Sequence, residues 1–225
     1  MKSVWWRKSI KEKYAQLLAT IIILFFLGPI LEGTTGQLII SAVFLGTIIT
    51  IIRTFTLKKK YFYLLLSLAG ISFGLEIYSA LSETFRQDEL FILASSTINS
   101  LFILAALVTI NRRIFTEKKV TSDTIEGGIA VFFMVGIVWA LLYRIVSIFD
   151  PNAFSEVGDT TYIFDTLFYF SFTTLTTLGY GDITPISDLA RTLATFEAMI
   201  GVMYPAIYIG RVVGLYTAQE MSDHD

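Results

Sequence analysis

The chain of 225 residues contains no cysteine, a single histidine and few charged side chains. The absence of cysteine excludes disulfides, thiolate metal sites and cysteine nucleophiles. Charged residues make up 16% of the chain and hydrophobic residues 54%, whereas soluble domains carry about a quarter charged residues. The one histidine, His224, is second from the C-terminus, where we expect a solvated tail. This composition predicts a membrane protein.

The chain also lacks the features of a nucleic-acid-binding protein or an enzyme. Its net charge of −2 provides no basic surface for nucleic acid. Paired catalytic carboxylates, a Ser/His/Asp set and a phosphate-binding loop before a helix are all missing from the sequence. We therefore expect neither nucleic-acid binding nor enzymatic activity, and no cofactor.

Long apolar runs dominate what is present. Six of them are long enough to cross about 30 Å of hydrocarbon, near residues 14–31, 37–52, 61–81, 90–110, 128–149 and 188–216. A seventh run, 161–176, is too short to span a membrane and contains many hydroxyl side chains, which predicts a re-entrant helix. The expected fold class is an all-α membrane protein with six transmembrane helices and one re-entrant helix.

The lysines and arginines predict the orientation of these helices. Fourteen of the 17 basic residues precede the first run, separate the second from the third or the fourth from the fifth, or lie at the end of the sixth. By the positive-inside rule, both termini are expected to be cytoplasmic, in the cell (plasma or inner) membrane. The same alternation agrees with six crossings.

The most informative stretch is Thr176-Thr177-Leu178-Gly179-Tyr180-Gly181-Asp182, which follows the short run. Glycine tolerates backbone angles that other residues cannot adopt, so successive carbonyl oxygens can point the same way. Four such loops around one axis would replace the water shell of a dehydrated K⁺. A Gly-x-Gly alone more often marks a turn, and a glycine-rich turn between two membrane helices is the alternative interpretation.

The order of apolar helix, half-length helix, glycine-rich loop and apolar helix resembles the pore module of the tetrameric potassium channel family. The resemblance covers about residues 125–216 and is to bacterial-type six-transmembrane channels with one pore loop and a TLGYGD filter. It implies a homotetramer in which backbone carbonyls bind K⁺, with the Thr177 hydroxyl at the inner end. The implied filter residues, called the filter segment below, are Thr177, Leu178, Gly179, Tyr180 and Gly181, with K⁺ at the first four.

The resemblance divides the chain into three parts. Residues 1–111 would be a four-helix transmembrane domain, 112–124 a cytoplasmic linker, and 125–225 the pore domain. The linker allows the four-helix domain to sit beside its own pore domain or a neighbour's. Within the pore domain we expect an outer helix, a pore helix, the filter segment and an inner helix, at residues 128–149, 161–176, 177–181 and 188–216.

The four-helix domain has the topology of a voltage sensor without its charges. Its fourth helix contains no basic residue between Arg86 and Arg112. One charge moved through the field yields about 2.3 kcal/mol per 100 mV, so gating by charge movement is not expected. The helix instead carries a hydroxyl-rich stretch, which predicts close helix packing or, alternatively, the sensing of a lipid or ligand. Its residues are Ser95, Ser96, Thr97, Asn99 and Ser100.

Polar residues around the filter segment are expected to support it. Asp182 resembles the acidic residue of the outer mouth in this family, and Tyr169 stands where a pore-helix donor would bond it. Thr173, four residues before Thr177, occupies a position where some channels have a glutamate. We hypothesise that Glu197 of the inner helix replaces that glutamate behind the filter and bonds pore-helix hydroxyls such as Thr173 or Thr174, because an acid at membrane depth needs a partner or a proton. A glutamate in a water-filled crevice is the alternative.

Two residues of the inner helix predict a hinge. Gly201 aligns with the glycine at which members of this family often bend. Pro205 removes one backbone hydrogen bond and is expected to kink the same helix. Together they predict the hinge of an intracellular gate, with Ile209 and Val213 lining an apolar cavity below it.

The function implied by the resemblance is passive, potassium-selective conduction across the membrane. The expected partners are three further copies of the chain and membrane lipids, while the sequence identifies no gating ligand. Two alternatives stay open: a weakly selective monovalent cation channel, and a non-conducting membrane sensor or scaffold that retains the pore fold.

Overall fold

The computed structural model describes residues 13–27, 89–117, 119–155 and 163–223, with isolated positions between 42 and 78. Over these residues the regular structure is helical; the connections between helices include an isolated antiparallel bridge between Phe154 and Pro185. This confirms the all-α prediction for the described part of the chain. The helices are α1 (Lys13–Leu27), α2 (Glu89–Thr116), α3 (Ser122–Phe149), α4 (Ile163–Leu175) and α5 (Asp188–Asp223).

Three of the described helices are long and apolar enough to cross a membrane. They cover Leu90–Thr116, Ser122–Phe149 and Asp188–Met221, while α1 is a shorter apolar helix. The 36 residues of α5 extend over about 54 Å, which exceeds the roughly 30 Å of hydrocarbon. The predicted second and third segments lie outside the described residues, except for isolated positions, as does His224. The count of six crossings therefore stays a prediction.

Several helices extend beyond their predicted bounds into polar sequence. Helix α3 begins at Ser122 because Thr121 forms a capping box: its hydroxyl accepts the Thr124 N–H, and the Thr124 hydroxyl accepts the Thr121 N–H. Helix α2 continues to Thr116, so the predicted 112–124 linker is reduced to residues 117–121. The prediction counted apolar residues, and polar terminal turns carry no such signal.

Helix α3 lies at the centre of the fold and packs against α1, α2, α4 and α5. Two of its glycines permit close approach of aromatic rings. A Cβ added at Gly128 would lie 2.1 Å from Cζ of Tyr208 in α5, and one at Gly136 would lie 2.7 Å from Cζ of Phe172 in α4. Helices α4 and α5 are thus packed against α3.

The first helix packs against this same unit. Phe25 of α1 places its ring centroid 5.7 Å from Phe133 of α3, 5.5 Å from Phe168 and 4.9 Å from Phe172 of α4. These separations are typical of packed aromatic pairs. Helix α1 therefore contacts α3 of its own chain. Helix α2 contacts the same helix.

The end of α5 is bonded to the connection between α2 and α3. Nη2 of Arg211 donates to the carbonyls of Phe115 (2.6 Å) and Glu117 (3.0 Å), and its guanidinium stands 5.2 Å from the centroid of the Phe115 ring. The Val120 N–H donates to Oε1 of Gln219 at 3.1 Å. Because the last carbonyls of a helix lack partners within it, Arg211 supplies donors that α2 needs.

Candidate functional site

The filter segment follows the carboxyl end of α4. Carbonyls in the last turn of α4 accept hydrogen bonds from the first N–H groups of the filter segment. The Thr177 N–H donates to the Thr174 carbonyl at 2.9 Å. The N–H groups of Leu178 and Gly179 both donate to the Thr173 carbonyl, at 2.8 and 3.1 Å. Within the described residues, no backbone N–H is bonded to the carbonyls of the filter segment. Those carbonyls are therefore available to a ligand.

The backbone of the filter segment alternates in the sign of φ. Thr177, Gly179 and Gly181 have φ of 58°, 54° and 81°, whereas Leu178 and Tyr180 between them are not among the positive-φ residues of the described chain. Thr177 is the one non-glycine residue with positive φ in that part of the chain, and such a conformation is uncommon. Alternation in the sign of φ, which glycine permits, can turn successive carbonyl groups the same way.

The outer end of the filter segment is tied to α4 by one side-chain hydrogen bond. The Tyr169 hydroxyl donates to Oδ2 of Asp182 at 2.8 Å, so the structure brings these two residues together. Phe170, the next residue, does not brace Tyr180. Its ring is buried instead beside Tyr143 and Phe154, at centroid distances of 5.1 and 5.3 Å.

Glu197 lies fully buried between three helices, with 0% of its surface exposed. Tyr143 of α3 donates to Oε2 at 2.5 Å, and Ser171 of α4 is 2.6 Å from Oε1. The predicted bond to a pore-helix hydroxyl is present, but the partner is Ser171 and not Thr173 or Thr174: the Thr173 hydroxyl donates to the Phe170 carbonyl of its own helix. Full burial also disagrees with a water-filled crevice.

The packing of α4 on α5 explains the change of partner. Residues four apart lie on the same face of a helix, and Ser171 and Leu175 of α4 face Glu197 and Gly201 of α5. A Cβ added at Gly201 would lie 1.8 Å from the Leu175 carbonyl oxygen. Gly201 is therefore the point of closest approach between the two helices, which sets Glu197 opposite Ser171.

The predicted hinge residues both lie inside one continuous helix. Helix α5 runs unbroken through Gly201 and Pro205. Pro205 has no N–H to offer the carbonyl four residues before it, which belongs to Gly201. Ile209 and Val213, further along, are exposed in the single chain. The hinge itself stays a prediction.

Sequence reasoning missed Tyr143 and Ser171. Ser171 carried a weak signal, as a hydroxyl residue on the face of a short apolar helix. Tyr143 carried none, because an aromatic residue in an apolar run is expected to be core. Only the crossing of α3 with α5 brings it to Glu197.

Comparison with known proteins finds similarity over the region that contains the filter segment and Glu197. Residues 129–218 match the family model for ion channels. The chain is 32% identical over 80 residues to protein LctB of Geobacillus stearothermophilus, covering 33% of this chain and 59% of that protein. It is 27% identical over 106 residues to protein LctB of Bacillus caldotenax, covering 45% and 78%.

A third relative carries a more informative name. Over 54 residues the chain is 39% identical to the inward rectifier potassium channel Kirbac3.1 of Paramagnetospirillum magnetotacticum, which covers 24% of this chain and 18% of that protein. No solved structure matches the chain.

Proposed function

We propose that this chain, whose residues 129–218 form a domain of the ion channel family related to potassium channels, is one subunit of a homotetrameric potassium-selective channel. K⁺ would pass passively down its electrochemical gradient through the filter segment. The observation that carries the proposal is the alternating φ of Thr177, Gly179 and Gly181 together with the unbonded carbonyls of the described filter segment.

The chemistry of the filter segment suits a dehydrated monovalent cation. Carbonyl oxygens that face one axis can replace the water shell of K⁺, as in known potassium channels. Helix α4 ends at Leu175, directly before this segment. The carboxyl end of a helix carries about half a negative charge. That partial charge would favour a cation at the inner end of the filter.

Assembly from four chains is supported by what one chain leaves uncovered. Leu178 is 54% exposed and Tyr180 70% exposed, although a filter needs walls on every side. In the apolar 18-residue stretch of α5 only 11% is buried within the single chain, whereas 67% of the corresponding stretch of α3 is buried. Copies of the chain around one axis would cover both surfaces, with lipid against the remainder. Exposed apolar residues of α5 include Phe196, Met199, Val202, Met203 and Ile207.

The part of the chain before the pore domain is proposed to be a four-helix domain that does not gate by charge movement. The buried face of α2 carries Ser95, Ser96, Asn99 and Ser100. Small hydroxyl residues support close packing of membrane helices. Both termini are proposed to lie in the cytoplasm of a multi-pass protein of the cell membrane, in agreement with the positive-inside rule.

The proposal is tested by reconstituting the purified protein in lipid vesicles loaded with K⁺. We expect K⁺ flux, and a reversal potential in mixed K⁺ and Na⁺ that follows the K⁺ gradient. A reversal potential that responds equally to both ions would favour the weakly selective cation channel. A tetramer that passes no ion under any voltage would favour the sensor or scaffold.

A second prediction concerns the outer mouth. Tyr169→Phe removes the donor to Asp182 and is expected to shorten the conducting time during sustained K⁺ flux, because the outer end of the filter loses its tie to α4. Electrical recording of the reconstituted variant measures this. Tyr216→Phe is the matched control, since the Tyr216 hydroxyl also donates to an exposed carboxylate, that of Glu220 at 2.8 Å, far from the filter. Equal behaviour of the two variants would contradict the prediction.

A further inference from the structure

The Ser171 hydroxyl lies within hydrogen-bond distance of two oxygen atoms on different helices. Its Oγ is 2.6 Å from Oε1 of Glu197 and 2.8 Å from the carbonyl oxygen of Gly136 in α3. The Tyr143 hydroxyl already donates to the other carboxyl oxygen, Oε2. Ser171, Tyr143 and Glu197 are each 0% exposed, so bulk water does not reach the group.

The number of hydrogens available to these oxygen atoms indicates whether Glu197 is protonated or ionised. A serine hydroxyl carries one proton, and a backbone carbonyl can only accept. If Glu197 were ionised, the single proton of Ser171 could serve only one of its two short contacts. A proton on Oε1 supplies the missing donor, because Glu197 then donates to Ser171 and Ser171 donates to Gly136. Every oxygen of the group is then satisfied.

The charges around the group favour the same state. The titratable neighbour from α3 is Tyr143, and α4 contributes only Ser171 at this level. The acid of α4, Asp165, lies near Arg144 at the start of that helix.

The charged groups of α5 and of the outer mouth have other partners. On α5, Arg191 donates to the Pro185 carbonyl and Arg211 to the α2–α3 connection. Asp182 of the outer mouth is bonded to Tyr169. No described cation faces the carboxyl, and an unpaired carboxylate without water is strongly disfavoured.

We propose that Glu197 is a positioning residue held as a neutral carboxylic acid, whose O–H joins α5 to α4 and, through Ser171, to α3 behind the filter segment. The inference rests on the proposed function for its effect on conduction. Ser171 lies two residues before Thr173, whose carbonyl holds the amides of Leu178 and Gly179. Loss of the proton turns Ser171 toward Glu197, breaks its bond to Gly136 and loosens the support of the filter.

Glu197→Gln tests this directly, because an amide reproduces the neutral acid. Its carbonyl accepts from Tyr143 and its NH₂ donates to Ser171. We expect this variant to conduct K⁺ like the parent protein at neutral pH. The parent protein is expected to lose conduction as the pH is raised, and Glu197→Gln is expected to keep it. A loss of about tenfold or more in K⁺ flux for Glu197→Gln at neutral pH would overturn the proposal, because a neutral amide would then fail to replace the group that the native site needs.

Tyr143→Phe provides a second variant with a different signature. It removes a donor that favours the ionised form of Glu197, so the alkaline loss of conduction is expected to move to higher pH. A purely structural role of Tyr143 would lower stability and leave the pH profile in place. An unmoved or downward-shifted profile therefore contradicts the proposal.

Infrared spectroscopy of the purified protein separates this inference from the proposed function. The parent protein at neutral pH is expected to show the carbonyl stretch of a protonated, water-shielded carboxylic acid, and Glu197→Gln is expected to lack it. Glu220→Gln, an exposed acid on the same helix, is the control that keeps the band. If the band is present and no K⁺ flux occurs, the proposed function fails, and the neutral state of Glu197 stands. A parent protein without the band overturns the proposal that Glu197 is neutral.

Discussion

Gly201→Ala is expected to prevent α4 and α5 from reaching their native packing. The added Cβ would lie 1.8 Å from the Leu175 carbonyl oxygen and 2.7 Å from its carbonyl carbon. These are backbone atoms at the end of α4, so no side-chain rotation can relieve the contact. Overpacking of a core typically destabilises by about 1–3 kcal/mol, and we expect an effect of about 3 kcal/mol or more because backbone must move. Tetramer yield in detergent and thermal unfolding measure it.

Helix α5 contains its own controls for this substitution. A Cβ added at Gly210 or Gly214 meets no atom of the described structure within 4 Å. Gly210→Ala and Gly214→Ala carry the same change of helix propensity and are expected to assemble at least as well as the parent protein. A Gly201→Ala protein of parental stability that differs only in opening would identify Gly201 as a hinge and would contradict the packing interpretation.

Gly181→Ala is expected to abolish potassium-selective conduction while the protein still assembles. Gly181 has φ of 81°, and an added Cβ meets no atom of the described chain within 4 Å. Within one chain the effect therefore arises from the backbone angle, which costs a residue with a Cβ about 1–2 kcal/mol. Four copies around one pore would raise this to about 4–8 kcal/mol, enough to change the conformation of the filter segment.

Gly179→Ala tests the other glycine of the filter segment, whose φ is 54°. Gly214→Ala serves as the control, because it introduces the same methyl group into a helix. Fluxes of K⁺ and Na⁺ from vesicles, together with tetramer yield, separate a changed filter from a failed assembly. Retention of parental K⁺ selectivity in Gly181→Ala would show that the positive φ is not needed for conduction.

The all-α class and the location of the described helices followed from the sequence because long apolar runs have one stable solution in a membrane. The ends of the helices were less well predicted. The apolar pattern gave no sign of the capping box at Thr121 or of the polar final turn of α2. Hydrogen bonds of terminal turns determine these ends, and apolar periodicity does not record them.

Some contacts of the site could likewise be predicted from the sequence, and others could not. The pairing of Tyr169 with Asp182 could be proposed because the resemblance to potassium channels places a pore-helix donor and an outer-mouth acid at these two positions. The partners of Glu197 could not, since Tyr143 is separated from it by 54 positions and Ser171 by 26. The meeting of Glu197 with Ser171 depends on how closely α4 and α5 approach at Gly201, and its meeting with Tyr143 depends on the crossing of α3 with α5. No local pattern encodes either distance.

The sequence by itself determined the apolar helices, the glycine spacing of the filter segment and the absence of sensor charges between Arg86 and Arg112. Each of these is a local property of neighbouring residues. Only the tertiary structure decided that Glu197 is enclosed by Tyr143 and Ser171, because burial of a polar group is a property of three helices packed together. The same packing, through the short contact at Gly201, determines which hydroxyl the carboxyl meets.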